Sequence, residues 1–247
     1  MSEKLKKILK ENARFEKQSP YNFCDRWCER CPAETTNHCR LFHDEYERRV
    51  MNIAHGRAED DLAAFEEQFK EKLARLEAAL QPWEKKFDRP ELEEIEEEID
   101  RDAEEEFHKQ REAKREKVSG HPLYKMTHQY MKKTYGFLKE IYYDENEKIP
   151  PDLKYHYETV SWYHTLMSAK IYRAISSFYE PKIDEKEDFE LSDAVAQLII
   201  CQKGIKQSQE AWKKIAPSLP DQPKIINDLL AVLHNMNTNI ELIIRQI

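Results

Sequence analysis

Three features of this 247-residue chain predict an all-α fold. Glycine is scarce: 4 residues are too few for the turns that a sheet protein of this length needs. Glu, Lys, Ala and Leu, all good helix formers, are abundant, and 36% of the residues are charged. Apolar residues recur at spacings of three and four along most of the chain, the stripe of an amphipathic helix. The expected architecture is an N-terminal four-cysteine metal-binding arm (1–42), a charged antiparallel helical hairpin (43–118) and a C-terminal up-down four-helix bundle (119–247). The length is enough to bury a core.

The elements follow in order. Residues 3–15 form a short amphipathic helix with Leu5, Ile8, Leu9 and Phe15 on its apolar side, ended by Ser19-Pro20. From His43 to Leu80 a narrow stripe runs through Tyr46, Val50, Ile53, Leu62, Phe65, Phe69, Leu73, Leu76 and Leu80, with a gap after Ile53. Pro82 and Asp88-Arg89-Pro90 interrupt the pattern, because proline removes a donor and disfavours helix in the residue before it. A second charged helix covers 91–117, with Leu92, Ile95, Ile99, Ala103, Phe107 and Ala113 as a sparse stripe. Ser119-Gly120-His121-Pro122 is a breaker, after which charge falls and aromatics rise. Four helices then span Pro122–Tyr143, Leu153–Tyr179, Leu191–Ile215 and Pro223 to the C-terminus. Asp152 suits the N-cap of the second, and Ser192 or Asp193 that of the third. Similar lengths and short connections make an up-down bundle the default arrangement.

Charge bounds the partners. The net charge of −8 argues against a general nucleic-acid binder. Residues 59–118 hold 22 acidic and 12 basic side chains, more than the whole chain's acidic excess, as a solvated helix face or a surface for a basic partner. No stretch approaches the ~20 apolar residues of a membrane span. The opening MSEKLKKILKENARFEK has neither the apolar run nor the cleavage site of a secretion signal. A cytoplasmic protein is expected, with a protein partner engaged through the helical bundle. In that compartment clustered cysteines stay reduced.

Chemistry concentrates in Tyr21–Phe42. Four of the five cysteines, Cys24, Cys28, Cys31 and Cys39, lie within sixteen residues at C-x3-C-x2-C-x7-C spacing. Cys28 and Cys31 can present two sulfurs from one turn, Cys24 lies four residues earlier, and Cys39 closes the set. A cysteine can also be a small buried apolar residue, but four so close together point to a metal. Four thiolates suit a 4Fe-4S cluster or, as the alternative, a tetrahedral Zn2+. Zinc sites commonly use two C-x2-C knuckles and this chain has one, which favours the cluster. Tyr21, Phe23, Trp27 and Phe42 can supply an apolar shell. With all four positions filled by sulfur the site is closed, which suits structure, sensing, interaction or electron transfer better than substrate chemistry.

Two resemblances attach to these residues. Cys28-Glu29-Arg30-Cys31-Pro32 with Cys39 looks like the C-terminal part of the cluster loop of endonuclease III-type DNA glycosylases, which implies a 4Fe-4S cluster. The first spacing is shorter here and no helix-hairpin-helix domain follows, so the glycosylase activity is not implied. Tyr21 to Pro32 resembles an uncharacterised bacterial family with a Tyr-Asn-x-Cys-Asp start and a Cys-Glu-x-Cys turn, which supports the metal and implies no mechanism. The Cys24, Cys28 and Cys31 spacing also matches that of radical SAM enzymes, but their βα partial barrel has no counterpart in this glycine-poor helical sequence.

Other candidates carry less. A two-metal carboxylate site in a bundle needs paired Glu-x-x-His motifs, and Glu105-x-x-His108 is the one good match. His156, Glu158 and His164 share a helix without forming that motif. His164 lies on the apolar stripe with Val160, Met167 and Ile171 and reads as a core histidine satisfied by a hydrogen bond. His128, His234 and Glu241 fall on helix flanks. Tyr124, His128, Met131, Tyr135, Leu138 and Tyr142 line one face, read as core or helix interface. Cys201 reads as a buried small residue, Gly204 as a point of close helix packing, and Lys170 with Arg173 as solvated or ion-paired. The functional expectation is a metal-centre-binding helical protein, more a structural, sensing or interaction protein than an enzyme. The alternative is a 4Fe-4S electron-transfer protein or a di-metal bundle oxidoreductase.

Overall fold

The computed structural model describes residues 2–61, 70–79, 90–143, 149–179 and 187–247, with side chains outside 90–102 and 187–190. Every element among the described residues is helical. The chain divides into two units, Met1–Arg30 with Ala113–Ile247, and Cys31–Glu112. The helices are α1 (Glu3–Gln18), α2 (Ala33–Thr36), α3 (Arg40–Ala54), α4 (Pro90–Gly120), α5 (Pro122–Leu138), α6 (Pro151–Phe178), α7 (Glu187–Ile215) and α8 (Pro223–Arg245). Residues 70–79 are also helical.

In the first unit, α5 to α8 form the four-helix bundle. The Tyr124 ring meets Tyr172 and the Tyr135 ring meets His164, so α5 and α6 run antiparallel. Arg173 pairs with Asp193 near one end of α6 and α7, and Tyr163 packs against Gly204 further along, so these helices are antiparallel too. The last helix, α8, touches both α7 and α5 and closes the ring. Trp212, Tyr130, Tyr163, Met167 and Ile171 are fully buried at its centre. The Trp212 indole donates to the Tyr130 hydroxyl (3.0 Å) and packs edge-on against Phe137, so the largest side chains bury area with their polar atoms satisfied. Leu5 and Ile8 of α1 bury against Val195 of α7. Asn12 donates to the Ser192 carbonyl and accepts from its hydroxyl, which fixes the register of α1.

Several expected boundaries move. The Ser2 hydroxyl caps α1 by accepting from Leu5 N–H, and the helix reaches Gln18; Phe15 ends up exposed. Pro151 opens α6 as the first helical residue, which places Asp152 in its first turn rather than at the cap. The next helix, α7, starts at Glu187, so Ser192 and Asp193 are interior residues held by Asn12 and Arg173. The break at Ser119–Pro122 is sharp: α4 ends at Gly120, and the His121 ring accepts from Leu123 N–H at the start of α5.

The buried face of α5 is Leu123, Thr127, Tyr130, Thr134, Phe137 and Leu138. Of the expected face, Leu138 is fully buried, Tyr124 and Tyr142 pack against the core, and the rings of Tyr124, Tyr135 and Tyr142 meet Tyr172, His164 and Tyr157 of α6, a helix interface, with Tyr135 the exposed member. Both faces repeat at the same interval. Thr127 can go inside because its hydroxyl donates to the Leu123 carbonyl.

In the second unit, α3 ends at Ala54 and Gly56 takes a left-handed conformation (φ 67°), so the helix expected over His43–Leu80 is interrupted at the gap after Ile53. Asn52 holds the following loop by donating to the carbonyls of Glu59 and Asp61. Tyr46, Val50 and Ile53 are exposed. Leu62, Phe65, Phe69, Leu80, Pro82 and Asp88-Arg89 lie outside the described residues, as do the side chains of Leu92, Ile95 and Ile99.

Candidate functional site

The cysteine segment starts where α1 stops. Pro20–Asn22 and Cys28–Arg30 are single 3-10 turns. Between them Arg26 adopts a left-handed conformation (φ 59°), uncommon for a residue with a Cβ. The reversal there brings both Asp25 and Trp27 to the bundle surface.

Asp25 is the centre of the contact. One carboxylate oxygen accepts from the Tyr163 hydroxyl at 2.6 Å and pairs with the Lys203 ammonium at 2.8 Å. The other accepts from Trp27 N–H, and the Asp25 carbonyl accepts from the Trp162 indole at 2.9 Å. Burial pushes the carboxyl pKa up, but the hydrogen bonds from Lys203 and Tyr163 and the Lys203 charge outweigh it, so Asp25 titrates below its ordinary range. Burial and then the neighbouring carboxylate push the Tyr163 phenol well up, so it stays a donor.

Trp27 stacks on Trp162 (centroids 5.2 Å apart, 21° between planes) and meets Tyr163 edge-on at 6.0 Å. Arg30 completes the arrangement. Its guanidinium carbon lies 3.3 Å from the Trp27 ring centroid and 3.8 Å from that of Tyr155, a cation between two aromatic faces. It donates to the Thr159 hydroxyl (2.8 Å), the Glu158 carboxylate (3.0 Å) and the Tyr155 carbonyl (3.4 Å). A planar five-donor fork suits this combination of ring stacking and convergent acceptors; lysine would supply the charge alone.

The cysteines divide between the two units: Cys24 and Cys28 belong to the first, Cys31 and Cys39 to the second. None of the four is in a disulfide; Cys24, Cys28 and Cys31 are half-buried and Cys39, at the start of α3, is buried. The Cys24 sulfur lies 3.7 Å from the Tyr21 carbonyl. Among the described residues no group of three or more His, Cys, Asp or Glu side chains is gathered to hold an ion. Thiols in no disulfide are soft donors, but the structure does not gather these four into one group. Lys170, buried on α6, feels both Cys24 and Cys201; burial pushes its ammonium pKa down and the two sulfurs oppose that. Of the expected apolar shell, Trp27 is committed to Trp162, and Phe42 stacks on Tyr46 within the second unit.

The remaining candidates have ordinary partners. Glu105 pairs with Lys109 and His108 with Glu104, each one turn along an exposed helix. Glu158 is held by Arg30. The His164 Nδ1 donates to the Ser161 carbonyl at 2.7 Å, while its buried Nε2 has no partner among the described residues; burial depresses its pKa, so the ring is neutral. Arg173 makes a bidentate pair with Asp193, as expected for an ion-paired role. Lys170, by contrast, is buried rather than solvated. Cys201 is buried, and a Cβ added at Gly204 would fall 2.7 Å from the Tyr163 ring.

Compared with protein-family models, curated proteins and solved structures, the chain matches none.

Sequence reasoning passed over Asp25, Arg30, Tyr155, Trp162, Tyr163 and Lys203. The available signal was that α6 carries aromatics on more than one face. Tyr155 and Trp162 cannot both join the stripe of Val160, His164, Met167 and Ile171, and a bundle surface rich in aromatics invites a covering segment.

Proposed function

We propose that this chain is a metal-binding helical protein in which Cys24, Cys28, Cys31 and Cys39 together take a 4Fe-4S cluster or, as the alternative, Zn2+. The closed four-thiolate site serves structure, sensing or interaction with a protein partner through the bundle. The observation that carries the reading is the C-x3-C-x2-C-x7-C spacing of four cysteines within sixteen residues, in a segment whose first half is anchored to a helical bundle by Asp25, Trp27 and Arg30. Thiols that remain reduced to bind metal belong to a reducing compartment, which supports a cytoplasmic setting. The local similarity of Tyr21–Pro32 to an uncharacterised bacterial four-cysteine family supports the same site. The cysteines supply the donors. Asp25, Trp27 and Arg30 orient the backbone between them.

The test is anaerobic purification followed by visible absorption and assay of iron, sulfide and zinc. A brown sample rich in iron and sulfide identifies the cluster; a colourless one with a single zinc identifies the alternative. Cys28→Ser and Cys31→Ser lose the metal, whereas Cys201→Ser keeps it. A chain that arrives without metal and takes up neither zinc nor a reconstituted cluster ends this reading.

A further inference from the structure

Where α6, α7 and the arm meet, two buried polar groups lack partners. Lys170 of α6 is 8% exposed. Among the described residues no carboxylate pairs with its ammonium and no oxygen accepts from it. The groups it feels are the Cys24 and Cys201 sulfurs and two further cations, Arg173 and Arg26. Gln197 of α7 is fully buried. Its Nε2 donates to the Asp193 carboxylate at 3.0 Å and to the Asn22 carbonyl at 3.4 Å. Both of its N–H bonds are thereby used, which sets the orientation of the amide and leaves Oε1 a buried acceptor with no donor among the described residues.

The two groups lie at one level of the antiparallel pair α6–α7. Arg173 meets Asp193, and the Met167 carbonyl lies 3.9 Å from the Cys201 sulfur. Lys170 stands midway between Met167 and Arg173, and Gln197 midway between Asp193 and Cys201. A buried charge is ordinarily paired, and a buried acceptor ordinarily bonded. The Asp193 carboxylate is already committed, to two bonds from Arg173 and one from Gln197. Arg173 and Arg26, both exposed, add positive charge on the solvent side. Burial first, then Arg173 and Arg26, push the Lys170 ammonium pKa down, and an anion beside it opposes all three.

We infer that this cluster is a binding site for a small oxyanion that keeps an O–H at neutral pH, the chemistry of hydrogenphosphate. The Lys170 ammonium donates to a charged oxygen of the ion, and Gln197 Oε1 accepts from the ion's own hydroxyl. Sulfate has the same shape but carries no proton at neutral pH, so it leaves that acceptor unpaired. The inference stands on α6, α7 and the stretch Asn22–Arg26, and needs no metal at the cysteines.

The experiment titrates inorganic phosphate, and separately sulfate, into the full chain at pH 7 under reducing conditions and constant ionic strength, read by calorimetry. The wild type binds phosphate saturably at one site, and sulfate roughly 10- to 100-fold more weakly, the cost of one unpaired buried acceptor. Lys170→Met keeps the length without the charge and weakens phosphate binding roughly 30-fold or more. Gln197→Met removes the acceptor and brings the two ions within roughly 3-fold of each other. Arg26→Gly suits the left-handed backbone, leaves the core closed and weakens both ions roughly 2- to 5-fold, the worth of one exposed ion pair. Circular dichroism checks the helix content of each variant. If a buried variant fails to fold, the wild-type preference and Arg26→Gly still decide. Absence of saturable phosphate binding by the wild type overturns the site. Unchanged phosphate affinity in a folded Lys170→Met, or in Arg26→Gly, overturns its placement here. Equal wild-type affinity for sulfate and phosphate overturns the role of Gln197.

Discussion

The two halves of the cysteine segment carry two cysteines each and are held in different ways. In Tyr21–Arg30, contacts reach more than a hundred residues along the chain: Asp25 to Trp162, Tyr163 and Lys203, Trp27 to Trp162, and Arg30 to Tyr155, Glu158 and Thr159. In the part that follows, Cys31–Asp61, the contacts seen among the described residues include short-range ones: Arg40 to Asp44, Arg49 to Glu45 and Glu59, Asn52 to the carbonyls of Glu59 and Asp61. A long-range, half-buried bond closes a large loop and orders the backbone; an exposed helix pair adds a few tenths of a kcal/mol to structure already formed. Cysteine spacing alone gives no hint of this asymmetry.

The comparison breaks most severely at Gly204. A Cβ there would fall 2.7 Å from Cδ1 of Tyr163, whose ring is 1% exposed, and the hydroxyl of that ring donates to Asp25. Gly204→Val should destabilise the bundle by about 3 kcal/mol, the upper end of overpacking penalties, and release the arm at the same time. Chemical denaturation measures the first effect, and hydrogen exchange over residues 21–30 the second. Loss of stability with the arm still protected would show that the dock does not depend on the Tyr163 hydroxyl.

Asp25→Ala comes next. It leaves the Tyr163 hydroxyl and the Lys203 ammonium without their acceptor, at about 2 kcal/mol. Its pH signature follows from the depressed carboxyl pKa. A carboxyl lower in the folded than in the unfolded state contributes stability above its unfolded pKa of ~3.9 and loses it as pH falls through the folded value. The wild-type arm should therefore stay docked from neutral pH down to about pH 4 and loosen below, whereas Asp25→Ala removes that acid-side step. Proteolysis between residues 19 and 31 as a function of pH reads this out; identical acid profiles would assign the step to another group.

The bundle was legible because its signal is periodic. Ile226, Leu229, Leu233, Met236 and Ile240 repeat on one face and are all buried in α8, and Pro150-Pro151, Gly120 and Pro223 mark helix boundaries in their own chemistry. The face of α5 through Tyr124, Leu138 and Tyr142 was legible as core or helix interface; the burial of Thr127 and Thr134 beside it was not, because threonine reads as polar. For the candidate site, the cysteines were visible as residue types at a spacing. Their anchors were not, because a charged Asp25 and Arg30 look like surface residues until Tyr163, Lys203 and Tyr155 arrive from well over a hundred positions away. No local pattern encodes a partner at that separation.

The smallest expected effect tests the other side of the comparison. Arg49 pairs with Glu45 one turn back in α3 and with Glu59 across the Gly56 turn, and its side chain is more than one-third exposed. Exposed pairs lose most of their Coulomb energy to solvent and salt and must also order two long side chains, so Arg49→Ala should shift stability by no more than ~0.5 kcal/mol. It should also leave the arm's protection unchanged, since none of its partners touches Asp25, Trp27 or Arg30. Raising the salt concentration should narrow even that difference, because the screening length falls from ~10 Å at 0.1 M to ~3 Å at 1 M. If Arg49→Ala instead exposed residues 21–30 to exchange as strongly as Asp25→Ala does, the contacts of Asp25, Trp27 and Arg30 would not suffice to hold that stretch.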